Sequence, residues 1–250
     1  MPDTHPKTVG ARTAAEQDQQ AAAAAVRDMF TSIAPRYDLL NHVLSMNVDR
    51  YWWWRTAHGF RTILQRRGSA VLDLCCGTGD MAFALYREAG IGGASVTGVD
   101  FSAAMLERAR QKSGKKPLQW VEADALNLPF ETARFELVTS AFGFRNLANY
   151  DAGLREIHRV LKDGGEVAIL DFGEPKGIVG QFYQFYFRHV LPKVGTLLSG
   201  VSGPYAYLPA SVARFPDPEE MQARMLAAGF REASFTPYTF GIAGLYWGKK

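Results

Sequence analysis

Val71–Leu72–Asp73–Leu74–Cys75–Cys76–Gly77–Thr78–Gly79–Asp80 is an apolar run that ends in two closely spaced glycines. A short apolar run bounded by glycine reads as a buried strand, and the stretch Asp80–Ala89 beyond it has the composition of a helix. Two glycines at a strand-to-helix turn let the backbone bend sharply and approach a ligand, and the helix start offers free amides. Gly77, Gly79 and Ala82 also fit a G-x-G-x-x-A dinucleotide pattern, so the glycines alone do not choose between ligands.

The same beat continues outward from this turn. Ser95–Val99 reads as a second strand, Ser102 caps a helix running to about Gln111, and Leu118–Glu122 reads as a third strand. Phe135–Ser140 is a fourth strand, Asp151–Leu161 a helix, and Gly165–Asp171 a fifth strand entered through the turn Asp163–Gly165. After Asp217–Ala228, a helix with a good N-cap and Gly229 at its end, Arg231–Pro237 and Gly241–Trp247 are spaced as a hairpin. Strands alternating with helices predict an α/β, Rossmann-like fold. Its mostly parallel, seven-stranded sheet carries helices on both faces and an antiparallel hairpin at one edge.

Ahead of the sheet, residues 1–25 read as a flexible N-terminus. Residues 26–250 form one domain, with 26–66 a helical lid and 176–216 an aromatic, Gly- and Pro-rich insertion on the substrate side. Within the lid, Pro35 ends a first helix, Leu39–Met46 forms a second, and Asp49–Gln65 a third carrying Trp52, Trp53 and Trp54. Three consecutive aromatics on a helix face different sides, so packing and pocket-lining roles divide among them.

Composition narrows the function classes. The 250-residue chain is 47% hydrophobic and 21% charged, as expected of a globular protein with a full core. A net charge of +3 is too mild to call for nucleic acid, though it suits an anionic surface. Two adjacent cysteines make no disulfide framework, and residues 1–25 lack the basic start and apolar run of a signal peptide, so a cytoplasmic setting is expected. Gly177–Leu198, the most apolar long stretch, is broken by Gln181, Gln184, Arg188, His189, Pro192 and Lys193 and does not read as a span. The histidines lack metal-ligand spacing, so no metal is expected.

The ligand follows from the carboxylates. Asp100 closes the second strand about 20 residues after the glycines, where a carboxylate accepts both hydroxyls of a ribose. Asp73, at the end of the first strand, would repel a pyrophosphate but favours an ammonium group. A ribose and an ammonium together specify S-adenosylmethionine. An Asp following the third strand, Asp124, suits the adenine amine, with the backbone of Ala125 donating to the ring, while Phe101 and Met105 suit the adenine faces. Thr78, between the glycines, and Ser140, at the end of the fourth strand, complete the expected cofactor set. Each carboxylate alone would read equally well as a cap or turn former. An NAD(P)-dependent oxidoreductase remains the alternative from another class, without the expected strand near the N-terminus or a catalytic Tyr/Lys pair.

Several stretches carry a resemblance. Val26–Met29–Phe30 with Ile33–Ala34, Tyr37–Asp38 and Asn41 resembles the opening of the demethylmenaquinone/2-polyprenyl-benzoquinol C-methyltransferases. Phe142–Gly143–Phe144–Arg145–Asn146, Glu156–Gly165 and Asp171–Phe172 look like later signatures of the same family. The likeness runs from about residue 26 to the end. Two positions depart from it: Phe144 stands where many members have Leu, and Ala141 where some have Ser. The resemblance implies a class I methyltransferase fold and methylation of a ring carbon on a lipid-tailed quinol, most simply demethylmenaquinol, in some bacteria also a ubiquinone precursor. Other small-molecule or lipid methyltransferases are the nearest alternative.

Carbon methylation needs a ring carbon activated by loss of the neighbouring phenol proton. A phenol titrates near pH 10, about three units above neutrality, so a cation nearby is called for. Arg145 is the expected oxyanion or water-orienting residue and Asn146 the holder of a quinol oxygen; the plainer role for Arg145 is an ion pair at a helix start. Tyr37, Asp38 and Asn41 are expected to close over the methyl donor. Phe182, Phe185, Tyr186 and His189 share a helical face that suits packing, a homodimer contact, the prenyl tail or a patch at the membrane surface.

Overall fold

The computed structural model describes residues 47–173 and 210–250, together with Ser45, Pro175 and Gly180. The expected lid residues Tyr37, Asp38 and Asn41, and the aromatic stripe from Phe182 to His189, lie outside the described residues, as does most of the insertion.

Seven strands form one sheet: β1 (Ala70–Leu74), β2 (Ser95–Asp100), β3 (Gln119–Glu122), β4 (Phe135–Ala141), β5 (Leu161–Phe172), β6 (Glu232–Tyr238) and β7 (Ala243–Lys249). Their order is β3-β2-β1-β4-β5-β7-β6. β1, β2, β3, β4 and β5 pair in parallel, and β7 runs antiparallel between β5 and β6. Strand order therefore reverses between β1 and β4, and the crevice beyond their C-terminal ends is where an open α/β sheet binds ligand.

Both sheet faces are covered, which explains the unbroken apolar runs in the central strands. On one face Leu72, Val138, Val167 and Ile169 pack on Leu154, Ile157 and Val160 of helix α5 (Tyr150–Val160) and on Met221 and Met225 of α6 (Pro218–Ala227). On the other, Val71, Leu137 and Ala168 pack on Met81, Ala82 and Leu85 of α3 (Asp80–Ala89), with Phe60 and Leu64. Helix caps sit where the side chains predict them. The Ser102 Oγ accepts from the Met105 amide at 3.4 Å and starts α4 (Ala103–Ser113). Asp217 accepts from the Glu220 amide at 2.9 Å, with Pro218 in the first turn.

Two boundaries differ from the sequence reading by more than two residues. The helix expected over Asp49–Gln65 is α1 (Val48–Gly59) followed by the single turn α2 (Arg61–Leu64). Phe60 leaves helical geometry at φ −105° and ψ 17°, and its ring is buried in the core. Tertiary burial overrides the helical periodicity there. β5 also begins at Leu161, ahead of the expected turn, because Gly164 and Gly165 are held by backbone bonds to Lys250, the last residue.

Candidate active site

Asp73 ends a strand flanked on both sides, and its register partners are Gly98 of β2 and Thr139 of β4. The Thr139 hydroxyl donates to its Oδ1 at 2.9 Å, while its Oδ2 is buried without a hydrogen-bond partner. Burial raises the pKa of this carboxyl to about 7, against the pull of the Thr139 hydroxyl and the Ala82 amide. A buried carboxylate with one oxygen unmatched is an uncompensated cost unless a cation supplies the missing partner.

Asp100 is buried one strand away. Its Oδ2 accepts from the Gly77 amide at 2.8 Å and its Oδ1 from the Ser102 amide at 2.9 Å. Burial raises its pKa to about 6, with these amides holding it down. The carboxylate thus fastens the glycine loop to the start of α4, and each oxygen keeps a further lone pair for a hydroxyl. Gly79 has φ +92°, and a Cβ there would stand 2.5 Å from the Trp120 ring, so the loop is closed by an aromatic lid that only glycine admits.

The remaining expected cofactor residues divide. Ser140, at the end of β4, is buried with its Oγ unpartnered. Phe101 is half-buried and Met105 fully buried at the start of α4. Asp124 is exposed and its Oδ1 accepts from the Leu126 amide at 2.9 Å, forming the turn that follows β3, with Ala125 buried behind it. The Thr78 hydroxyl accepts from Lys112 Nζ at 3.0 Å, and Lys112 pairs with Asp80 at 2.7 Å, so Thr78 ties the loop to α4.

The loops after β1 and β4 meet in unusual backbone geometry. Cys75 has φ 54° and Phe142 φ 58°, left-handed values that cost a side-chain-bearing residue about 1 kcal/mol or more. A Cβ on Gly143 would lie 2.4 Å from the Cys75 Cβ, so the two loops are packed backbone to side chain. Two of the six left-handed non-glycine residues among the described residues thus stand on the two lips of the switch-point crevice.

The pattern that defines the ubiE/COQ5 methyltransferase family matches residues 15–250. The chain belongs to that family. It is 48% identical to a demethylmenaquinone methyltransferase of Deinococcus radiodurans over 93% of this chain and 95% of the relative. It is 46% identical to one of Thermus thermophilus, covering 89% of this chain and all of that protein. A ubiquinone/menaquinone biosynthesis C-methyltransferase UbiE of Geobacter sulfurreducens is 41% identical over 90% of this chain and 88% of its own length. Among solved structures, an S-adenosylmethionine-dependent methyltransferase of Thermotoga maritima, described as a possible histamine N-methyltransferase, superposes with TM-score 0.60 at 18% identity. It covers 90% of this chain and 99% of that one, a likeness of fold. Membership of the ubiE/COQ5 methyltransferase family makes this a methyltransferase that uses S-adenosylmethionine, and the unmatched Asp73 oxygen fits the cofactor's ammonium group. The oxidoreductase alternative falls with it.

Arg145 is where the structure changes the expectation most. Its NH1 donates to Asp171 Oδ1 at 2.9 Å and also to the Phe142 carbonyl, and its amide donates to Asp171 Oδ2 at 3.1 Å. The Arg145 and Asp171 side chains are 6% and 0% exposed. The guanidinium is therefore matched by a buried carboxylate and fixes the loop after β4 against the end of β5. Asn146 ends the same short 3-10 turn, Phe144–Asn146, and is half-buried.

Sequence reasoning assigned no role to Thr139 and did not foresee the pairing of Asp171 with Arg145 or the meeting of Trp52 with Phe142 and Phe172. Trp52 of α1, Phe142 and Phe172 pack with ring centroids 5.7, 6.2 and 4.5 Å apart, bordering the crevice on its β4–β5 side. Trp52 is buried and its Nε1 donates to the Thr239 hydroxyl at 2.8 Å. Asp171–Phe172 was visible as a motif, but its partners are far away in sequence.

Proposed function

We propose that this chain methylates a ring carbon of a polyprenylated quinol, converting demethylmenaquinol to menaquinol with S-adenosylmethionine as the methyl donor. The observation that carries the reading is the unmatched Asp73 carboxylate beside Asp100, in a crevice walled by Trp52, Phe142 and Phe172. The names of the relatives support the quinol as substrate.

Bound S-adenosylmethionine supplies an electrophilic methyl group on a sulfonium. Asp73 would hold the donor's ammonium and Asp100 its ribose, with Asp124, Ala125, Phe101 and Met105 serving the adenine and Ser140 offering a further hydroxyl to the donor. The aromatic wall stacks on the quinol ring and excludes water, bringing the acceptor carbon into line. Arg145 works through position: paired with Asp171, it sets the Phe142 carbonyl and the turn that carries Asn146, which we assign to a quinol oxygen. We assign Tyr37 and Asp38 to the closure that brings donor and acceptor together, and residues 176–216 to the substrate side of the domain.

We place the enzyme on the cytoplasmic face of the membrane, held peripherally. No helix among the described residues is long and apolar enough to cross a bilayer, and the substrate's tail keeps it within one. Labelled methyl transfer with reduced demethylmenaquinone and with a 2-polyprenyl-benzoquinol tests the function. Label in the first product is expected, and transfer to neither quinol refutes the reading.

A further inference from the structure

The outward arc of α1 is made of aromatic and basic residues. Asp49, Trp52, Thr56 and Ala57 are the helix's buried side. The opposite arc carries Arg50, Tyr51, Trp54 and Arg55, at positions a 3.6-residue repeat places together, and Arg61 of the following turn adjoins it, 3.5 Å from His58. Tyr51 is 47% and Trp54 53% exposed, and the two rings pack at 5.9 Å. His58 stacks beneath Trp54, with its Nδ1 3.2 Å from the carboxylate of Glu88 on α3. A solvated helix face ordinarily mixes acids with bases and keeps large rings inside; this one does neither.

A second element extends the surface. The β6–β7 turn lies against α1 through the Trp52–Thr239 bond and through Arg55, whose guanidinium sits 4.1 Å above the Tyr238 ring. In that turn Thr239, Phe240 and Gly241 all have left-handed φ, and Phe240 is 82% exposed. The turn joins the end of β6 to the start of β7, opposite Phe172 at the end of β5. It therefore lies at the same sheet edge as the crevice.

We infer that the outward arc of α1 and the Phe240 turn form the surface by which this enzyme docks on an anionic lipid bilayer. The inference rests on the quinol reading above and names the surface that serves it. Tyrosine and tryptophan favour the headgroup boundary, a phenylalanine held outward on a turn enters the acyl region, and arginines beside them meet lipid phosphates. The absence of acids from the arc matches the charge of such a surface. Docking here sets the crevice mouth beside the bilayer, so a ring can enter while its tail stays in lipid.

Flotation of the full-length protein with vesicles tests this, using equimolar phosphatidylglycerol and phosphatidylcholine against phosphatidylcholine alone. Methylation of a short-tailed, water-soluble demethyl-naphthoquinol is measured in parallel. Wild type is expected to float with the anionic vesicles and to be released by salt. Removing two cations in R50Q/R61Q lowers partitioning about twenty-fivefold, at about fivefold for each cation. W54A and F240A each lower it by about tenfold. All variants keep wild-type activity on the short-tailed quinol. Variants that float like wild type overturn this surface while leaving the quinol reading intact. A wild type that ignores vesicles but is retained by RNA at the same salt overturns the lipid as occupant. A wild type inactive on every quinol removes the reading beneath the inference and the inference with it.

Discussion

Arg145 and Asp171 face each other across the β4–β5 boundary at 2.9 Å, both buried, with the Arg145 amide held by the second carboxylate oxygen. Removing one partner leaves an unmatched buried charge. R145A and D171A are each expected to lose about 3–5 kcal/mol of stability, and the double variant less than the sum. Denaturant titrations of the three variants measure the coupling. Where protein remains folded, methyl transfer should fall with the displaced turn.

With Asp73 as the proposed partner of the cofactor's ammonium, cofactor binding is expected to depend on pH. Its folded pKa of about 7 lies above its ordinary value of 3.8, so without ligand the folded state holds a proton that the unfolded state releases. Its contribution to stability is therefore fully present below about pH 4 and is lost as pH rises through 7. The loss is on the order of 4 kcal/mol. A ligand ammonium needs the ionised form, so S-adenosylmethionine should bind about tenfold more tightly for each unit of pH up to 7, and more weakly again above about 8 as its own α-amino group loses its proton. Calorimetry in buffers of different ionisation enthalpy should detect the released proton. D73N should bind weakly at every pH and lose the slope.

Ser140 carries a hydroxyl with no partner among the buried groups around it. S140A is expected to stabilise the ligand-free protein by about 1–2 kcal/mol while weakening S-adenosylmethionine binding by about tenfold. Thermal melts with and without ligand separate the two effects. A stabilised variant that binds as well as wild type would take Ser140 out of the cofactor site.

Gly143 and Cys75 are a packed pair. In G143A the new methyl meets the Cys75 Cβ at 2.4 Å, an overlap that costs about 1–3 kcal/mol and parts the two strand-end loops. The melting temperature should drop by several degrees and transfer should slow. C75G/G143A removes the obstructing Cβ and should restore both.

Much of the architecture is written locally. Apolar runs bounded by glycine and proline mark the strands, Ser102 and Asp217 announce their helices, and the spacing from Gly77 to Asp100 brings two strand ends together at the crevice. These features depend on residues a few positions apart, so periodicity and capping chemistry reveal them. The break at Phe60 was not legible because the ring is drawn into a core assembled from other segments. Nor was the fate of Arg145: an arginine after a strand looks like a free cation until a carboxylate 26 residues on is folded against it. The Asp73–Thr139 bond spans 66 positions and leaves the other Asp73 oxygen unmatched, a property of the pair that neither residue carries alone. The chain's local chemistry was enough to propose Asp100 for a ribose and Asp73 for an ammonium. Only packing, by burying charges and deciding which of them meet, separated the groups that hold the loops from those left open to a ligand.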